Sequence, residues 1–139
     1  MNKSLKNIKL YQEELLEHYN YPKNRSSNNS LGEEEILLLE HVGVGKNPSC
    51  GDSVSVGFNL TNNIITKILF LGSGCVISQA TASMLTEACF NKELHFIENL
   101  TKDDILKLIG IELGPNRLRC ALLSLEALQQ AIKAAYNAK

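Results

Sequence analysis

The chain has 139 residues, of which 44% are hydrophobic, and this length and composition fit one globular domain, 1–139, with its own core. A formal net charge of −1 and an isoelectric point near 6.3 give no electrostatic basis for binding nucleic acid or an anionic membrane. No apolar run approaches the roughly 18 residues of a membrane-spanning helix. The polar N-terminus does not resemble a signal peptide, so we expect a cytoplasmic protein.

The first predicted element is an amphipathic helix over about residues 4 to 19. Ile8, Tyr11 and Leu15 recur at helical spacing and place one apolar stripe along it. Residues 24–30 consist only of Asn, Arg and Ser, which is typical of a loop. The chain is therefore predicted to begin with a helix and a polar connection.

Three strands are predicted next. The apolar run within 35–44 is short and ends in glycines, so we predict a strand there rather than a helix. Apolar and polar residues alternate over 53–60, as in a strand with one buried face. The Thr-Asn-Asn triplet at 61–63 predicts a hairpin, because Asn tolerates positive φ, and 64–71 is the returning strand. Short connections make this set an antiparallel meander.

The period of the apolar pattern changes to that of a helix in the second half of the chain. Helices are predicted over about residues 75 to 90 and 101 to 109, and a last one beginning near Arg119. Strands followed by helices, without a repeat, predict an α+β fold: a three-stranded antiparallel sheet with helices packed on one face.

Four cysteines in a chain expected in the cytoplasm are more consistent with metal ligands or reactive thiols than with disulfides. Cys50 lies in a turn before the clearest strand, and Asp52 follows two residues later. Cys75 begins a predicted helix, where unpaired amides favour a thiolate. Cys120 is expected at the start of the final helix. We therefore predict that Cys50, Asp52, Cys75 and Cys120 share one metal site.

Two arginines lie just before the third of these cysteines. Arg117 and Arg119 precede Cys120 by three and one residues, and nearby guanidinium groups also favour a thiolate. Three thiolates and one carboxylate suit zinc in a tetrahedral shell, or the iron of a small cluster with one non-sulfur ligand. Cys89 is interpreted as a core residue, because 14 positions separate it from Cys75 on one predicted helix, roughly 21 Å along the axis.

The histidines carry a weaker signal. His18, at the end of the first predicted helix, is either a partner contact or a helix-end cation, and His41 is either a spare ligand or a solvated strand residue. A single cysteine at a helix start is more often a small buried residue, so the prediction of a site depends on all three thiols occurring at turns or helix starts.

The motifs that contain these residues match a known family over almost the whole chain. The matching stretches are Glu-His-Tyr at 17–19, Pro-Ser-Cys-Gly-Asp at 48–52, Gly-Cys-Val-Ile-Ser at 74–78, Ala-Thr-Ala-Ser-Met at 80–84 and Arg-Cys-Ala-Leu-Leu at 119–123. On these residues the chain resembles the IscU/NifU N-terminal family of iron–sulfur cluster assembly proteins. It is most similar to the SufU-like branch, because Arg119 stands where classical IscU scaffolds carry a histidine. The short step of 45 positions from Cys75 to Cys120 is IscU-like.

The resemblance implies a SufU-like activity. Cys50, Asp52, Cys75 and Cys120 would bind Zn²⁺, and Cys50 would accept persulfide sulfur from a cysteine desulfurase. Arg117 or Arg119 would hold the thiolate or the displaced carboxylate by charge-assisted hydrogen bonds.

Two alternatives stay open at this point. In the first, the protein is an IscU-type scaffold on which a nascent [2Fe-2S] cluster is built at the same four residues and handed to downstream acceptor or carrier proteins. In the second, it is a zinc-stabilised adaptor without sulfur chemistry.

Overall fold

The computed structural model describes residues 5–26, 31–48 and 51–137. In chain order their helices and strands are α1 (Leu5–Asn20), α2 (Gly32–Leu37), β1 (His41–Asn47), β2 (Asp52–Thr61), β3 (Ile64–Ser73), α3 (Val76–Cys89), α4 (Leu94–Glu98), α5 (Lys102–Ile109), α6 (Pro115–Ala121) and α7 (Leu123–Asn137). None of the helices in these ranges is both long and apolar enough to cross a bilayer.

The three strands form one antiparallel sheet in the order β1-β2-β3, so the predicted α+β fold, a three-stranded antiparallel sheet with helices, is confirmed. Asn62 and Asn63 connect β2 to β3 with φ values of 52° and 63°, the left-handed conformation that a tight hairpin needs and that Asn tolerates. The register pairs Asn47 with Asp52 at the far end of the sheet from this hairpin. That end carries the candidate site.

The main core lies between the sheet and the two long helices α3 and α7. Val54, Val56 and Phe58 of β2 are fully buried on this face. Helix α7 approaches β1 so closely that a Cβ at Gly43 would lie 2.0 Å from the carbonyl oxygen of Ala127. Only glycine permits this approach, which fixes α7 directly on the edge strand.

Several predicted elements are present with small changes in their ends. The first helix ends at Asn20, β2 and β3 cover the predicted hairpin, and α3 runs over residues 76–89. Thr101 caps α5 through a capping box: the Asp104 N–H donates to the Thr101 hydroxyl, and the Thr101 N–H donates to the Asp104 carboxylate. Burial of an apolar face stabilises each of these helices and strands. The periodicity of apolar residues was therefore enough to predict them.

The strand predicted over 35–44 is wrong for residues 35–40 and confirmed for 41–44. Residues 32–37 form α2, and the strand begins only at His41. Three glutamates occupy the first turn of α2, where negative charge is favourable near the helix N-terminus. Buried Ile36 and Leu39 cover the second face of the sheet, where a Cβ at Gly57 would lie 2.8 Å from Leu39. A short helix therefore packs on the face opposite α3 and α7.

The prediction that the final helix begins near Arg119 is also wrong. Pro115 is at the start of α6, a position that proline favours, and the helix is interrupted at Leu122 before α7. Cys120 consequently lies in the last turn of α6 and not at the start of the final helix. Helix α4, of only five residues, had no separate prediction, because so short an element carries little periodic signal.

Candidate metal centre

Asp52 is the first residue of β2 and is buried, with 7% of its surface exposed. Its Oδ2 accepts a hydrogen bond of 3.3 Å from the backbone N–H of Cys75. This bond joins the start of β2 to the start of α3. The carboxylate therefore faces the turn before α3, where Asp52 and Cys75 could bind the same metal ion.

Cys75 is the N-cap residue of α3 and has extended backbone angles, with φ −74° and ψ 167°. Its side chain is exposed, and its Sγ lies 3.9 Å from the Ser78 hydroxyl. That hydroxyl donates to the Cys75 carbonyl at 3.0 Å, which fixes the first turn of the helix. Cys75 therefore presents its thiol to solvent at the N-terminal end of a 14-residue helix.

Cys120, on α6, completes a cluster of three. One ligand atom from each of Asp52, Cys75 and Cys120 lies within 4.8 Å of the other two. Cys120 is buried at 8% exposure, whereas Cys75 is open to solvent. The cluster therefore has a closed side and an open side, through which an ion or a partner could enter.

The spacing of the three ligand atoms fits a metal ion. Zn–S bonds of about 2.3 Å in a tetrahedral shell separate two sulfurs by about 3.8 Å. The ligand atoms of Asp52, Cys75 and Cys120 are at most 4.8 Å apart, so small side-chain rotations would bring the two sulfurs to that distance. Two thiols and one carboxylate supply three of the four ligands that a structural zinc site takes.

Cys50, the predicted fourth ligand, lies outside the described residues. In the sequence it stands two positions before Asp52. The backbone N–H of Gly51 donates to the Asn47 carbonyl at 2.9 Å, and Gly51 has a φ of 76°. The segment that leads into β2 is therefore tightly turned at Gly51.

A cleft of about 710 Å³ opens over the cluster. Its lining combines an apolar wall from α1 and α3, including Leu15, Leu16 and Val76, with the two predicted arginines, Arg117 and Arg119. The guanidinium groups are positively charged at neutral pH and make the cleft attractive to anions such as a thiolate or a persulfide. This charge lies beside an exposed thiol.

The fourth cysteine does not belong to this cluster. Cys89 is fully buried in the core, and burial raises the pKa of its thiol from 9.0 to about 12. A thiol held neutral in an apolar interior is a poor ligand and a poor nucleophile. The interpretation of Cys89 as a core residue is confirmed.

The structure places neither His18 nor His41 in the cluster. His18 Nδ1 lies 2.7 Å from the Ser83 hydroxyl, which ties α1 to α3. His41 packs against Phe58 with ring centroids 5.4 Å apart, at the hairpin end of the sheet. Both histidines therefore have structural roles in the described fold.

Asn47 is a candidate site residue that the sequence did not suggest. It is buried at 8% exposure, pairs with Asp52 across the sheet and lines the cleft. The incorrect strand prediction ended at residue 44, so Asn47 had no assigned place. Its one sequence signal is its position directly before Pro48, where β1 ends.

Comparison with known proteins places the chain in a family. The model of the NifU-like N-terminal domain matches residues 10–139. The chain belongs to the NifU-like N-terminal domain family. It is 29% identical to the zinc-dependent sulfurtransferase SufU of Bacillus subtilis (strain 168), with 88% of this chain and 89% of the relative covered.

The chain is also similar to the iron–sulfur cluster assembly scaffold protein IscU of Aquifex aeolicus (strain VF5). It is 35% identical, with 88% of this chain and 74% of the relative covered. The crystal structure of a NifU-like N-terminal protein from Brucella abortus matches the fold with a TM-score of 0.65 at 14% identity, covering 93% of this chain and 96% of that one. The resemblance inferred from the sequence motifs is confirmed.

Proposed function

We propose that this protein works in iron–sulfur cluster assembly as a cytoplasmic sulfur acceptor that takes persulfide sulfur from a cysteine desulfurase. The observation that carries the proposal is the clustering of Asp52, Cys75 and Cys120 within 4.8 Å beneath a cleft that contains Arg117 and Arg119. The relationship to a zinc-dependent sulfurtransferase supports the same conclusion.

Cys50, Asp52, Cys75 and Cys120 are the proposed ligands of a zinc ion. Zinc, when bound, would keep the thiols deprotonated at neutral pH. The Asp52 carboxylate is the proposed exchangeable ligand, because zinc prefers soft thiolate ligands to carboxylate oxygens. The hydrogen bond from the Cys75 N–H orients this carboxylate. The protein's part is thus to keep three nucleophilic sulfurs and one exchangeable oxygen together.

Cys50 is the proposed acceptor. Its thiolate would attack the outer sulfur of a persulfide on the desulfurase, forming a new S–S bond on Cys50. The S–S bond of the donor breaks, and the donor cysteine leaves as a thiolate. Atoms and electrons balance without an added oxidant. Arg117 or Arg119, both in the cleft, would stabilise the anionic sulfur by charge-assisted hydrogen bonds.

A scaffold function is the second candidate. The observation in its favour is the 35% identity to the IscU scaffold of Aquifex aeolicus, which is higher than the identity to SufU. The same four residues would then hold a nascent [2Fe-2S] cluster until an acceptor protein takes it. Arg119 counts against this function, because a guanidinium group has no lone pair with which to bind iron.

One experiment separates the two candidates. The protein is incubated with a cysteine desulfurase and cysteine without iron, and Cys50 is examined by mass spectrometry for one added sulfur atom. Iron is then supplied and sulfur-to-iron charge-transfer absorption is recorded. Added sulfur on Cys50 without a stable coloured cluster supports sulfur transfer, whereas a coloured cluster that passes to an acceptor supports the scaffold.

Two variants control this experiment. Cys50→Ser should lose the added sulfur, whereas Cys89→Ala should keep it, because Cys89 is enclosed in the core. If the wild-type protein gains no sulfur and unfolds when zinc is removed, the protein is an adaptor without sulfur chemistry. Equal sulfur loading of wild type and Cys50→Ser would contradict the assignment of the acceptor.

A further inference from the structure

A second, polar cavity of about 430 Å³ lies behind the turn that carries Cys75. It is lined by the C-terminal end of α1, the 72–74 turn and two polar side chains, Arg25 and Gln79, and is open to solvent. None of its lining residues lines the cleft over the metal-ligand cluster. It is therefore a separate cavity from that cleft.

Arg25 brings an unneutralised positive charge to this cavity. Its backbone is fixed beside β3, because Asn24 O accepts from the Phe70 N–H at 2.9 Å and the Ser26 N–H donates to Phe70 O at 2.8 Å. Its Nε is buried and has no hydrogen-bond partner in the described part of the chain, and no described carboxylate forms an ion pair with it. A partly buried guanidinium without a counter-charge is costly, so an anion would be stabilised here.

Gln79 supplies the second signal. It is 95% buried, since only 5% of its surface is exposed, and its amide packs against Gly72, where a Cβ would lie 3.2 Å from Oε1. Its Nε2 donates to the Ser78 hydroxyl at 3.1 Å. Its buried Oε1 accepts no hydrogen bond from any residue that the structure describes. An acceptor left in this state favours a ligand that brings a donor.

The geometry points to a binding pocket for a small anion that carries its own O–H or N–H donor, held between Arg25 and Gln79. The guanidinium would bind the negative oxygens and the Gln79 amide oxygen would accept from the ligand's donor. Hydrogen phosphate and an α-amino acid both have this chemistry. The inference does not depend on the proposed function, because no residue of the metal cluster takes part in it.

Titration followed by two-dimensional NMR tests the pocket, with the full chain in a zwitterionic buffer at constant ionic strength. The probes are inorganic phosphate, glycine, and acetate, which lacks a donor. Saturable shifts at residues 72–74 and 79 with phosphate or glycine, and weaker binding of acetate, are expected. Tighter binding of phosphate would identify the ligand as a phosphate, and tighter binding of glycine would identify it as an amino acid. Absence of saturation with both, or acetate binding as tightly as they do, would overturn the proposal.

Matched variants assign the binding to Arg25. Arg25→Gln should weaken binding by about tenfold or more, because it removes a charge-assisted hydrogen bond. Lys23→Gln removes the same charge two residues away, from an exposed side chain outside the cavity, and should bind as wild type does. Should Arg25→Gln fail to fold, Arg25→Lys carries the test: it keeps the charge but loses the fork of donors, so weaker binding supports the pocket. Binding unchanged in the folded Arg25 variant would contradict it.

Discussion

The carboxylate of Asp52 occupies the space that a side chain at Gly74 would need. A Cβ at Gly74 would lie 2.3 Å from Asp52 Cγ, and Gly74 has a φ of 141°, which L side chains rarely adopt. The glycine before Cys75 therefore does more than bend the chain: it makes room for a ligand contributed by a different strand.

Replacement of Gly74 by Ala should displace the Asp52 carboxylate and weaken zinc binding. Changes in the support of a metal ligand typically cost 10–100-fold in affinity, so a loss of about that size is expected. Competition with a chromophoric chelator measures it. Gly114→Ala is the control, because a Cβ there meets nothing within 4 Å. Equal loss in both variants would show that the close approach of Asp52 to Gly74 does not matter.

Cys75→Ser should lower zinc affinity at least as much, because the hydroxyl is a far weaker zinc ligand than a thiolate. Cys89→Ala should leave zinc affinity unchanged, since Cys89 lies in the core. Zinc content after dialysis against a chelator, measured by elemental analysis, compares the two variants. Equal zinc retention by both would exclude Cys75 as a ligand.

The buried Cys89 thiol should make stability fall at high pH. Burial raises its pKa from 9.0 to about 12, so between these values the folded state keeps a proton that the unfolded state releases. The stabilising contribution is therefore complete below about pH 9 and is lost as pH rises through about 12, with a limiting slope of about 1.4 kcal/mol per pH unit. Urea unfolding of wild type and Cys89→Ala from pH 8 to 11 measures the difference. Parallel pH profiles would contradict the prediction.

Arg119→His should shift the site toward holding a cluster. Arg119 lines the cleft beside Cys120 and cannot bind iron, whereas an imidazole can. After anaerobic reconstitution with iron and sulfide, the variant should keep its charge-transfer absorption longer than wild type. Arg117→His, two residues away in the same cleft, is the matched control. If the charge-transfer absorption decays at the same rate in wild type and Arg119→His, residue 119 does not contact the iron–sulfur cluster.

The parts of the fold that the sequence predicted are those in which one face is apolar over many residues. The stripe of α1, the alternation in β2 and the long α3 each bury such a face. The strand prediction failed for residues 35–40, because a short apolar run suits a strand and a helix equally. The three glutamates at 33–35 favour a helix start, because negative charge is stabilised at a helix N-terminus, and the strand prediction did not take them into account.

The candidate site was predictable in its residue types but not in its supports. Cys75 and Cys120 could be chosen from their flanking glycines and arginines. The pairing of Asn47 with Asp52 and the close approach of Asp52 to Gly74 depend on strand register and tertiary packing. One-dimensional spacing contains neither of these two relationships.

X-ray absorption spectroscopy at the zinc edge tests the central claim most directly. The zinc-loaded protein should show three sulfur neighbours at about 2.3 Å and one oxygen at about 2.0 Å, from Cys50, Cys75, Cys120 and Asp52. A first shell with one sulfur or none would contradict the shared site.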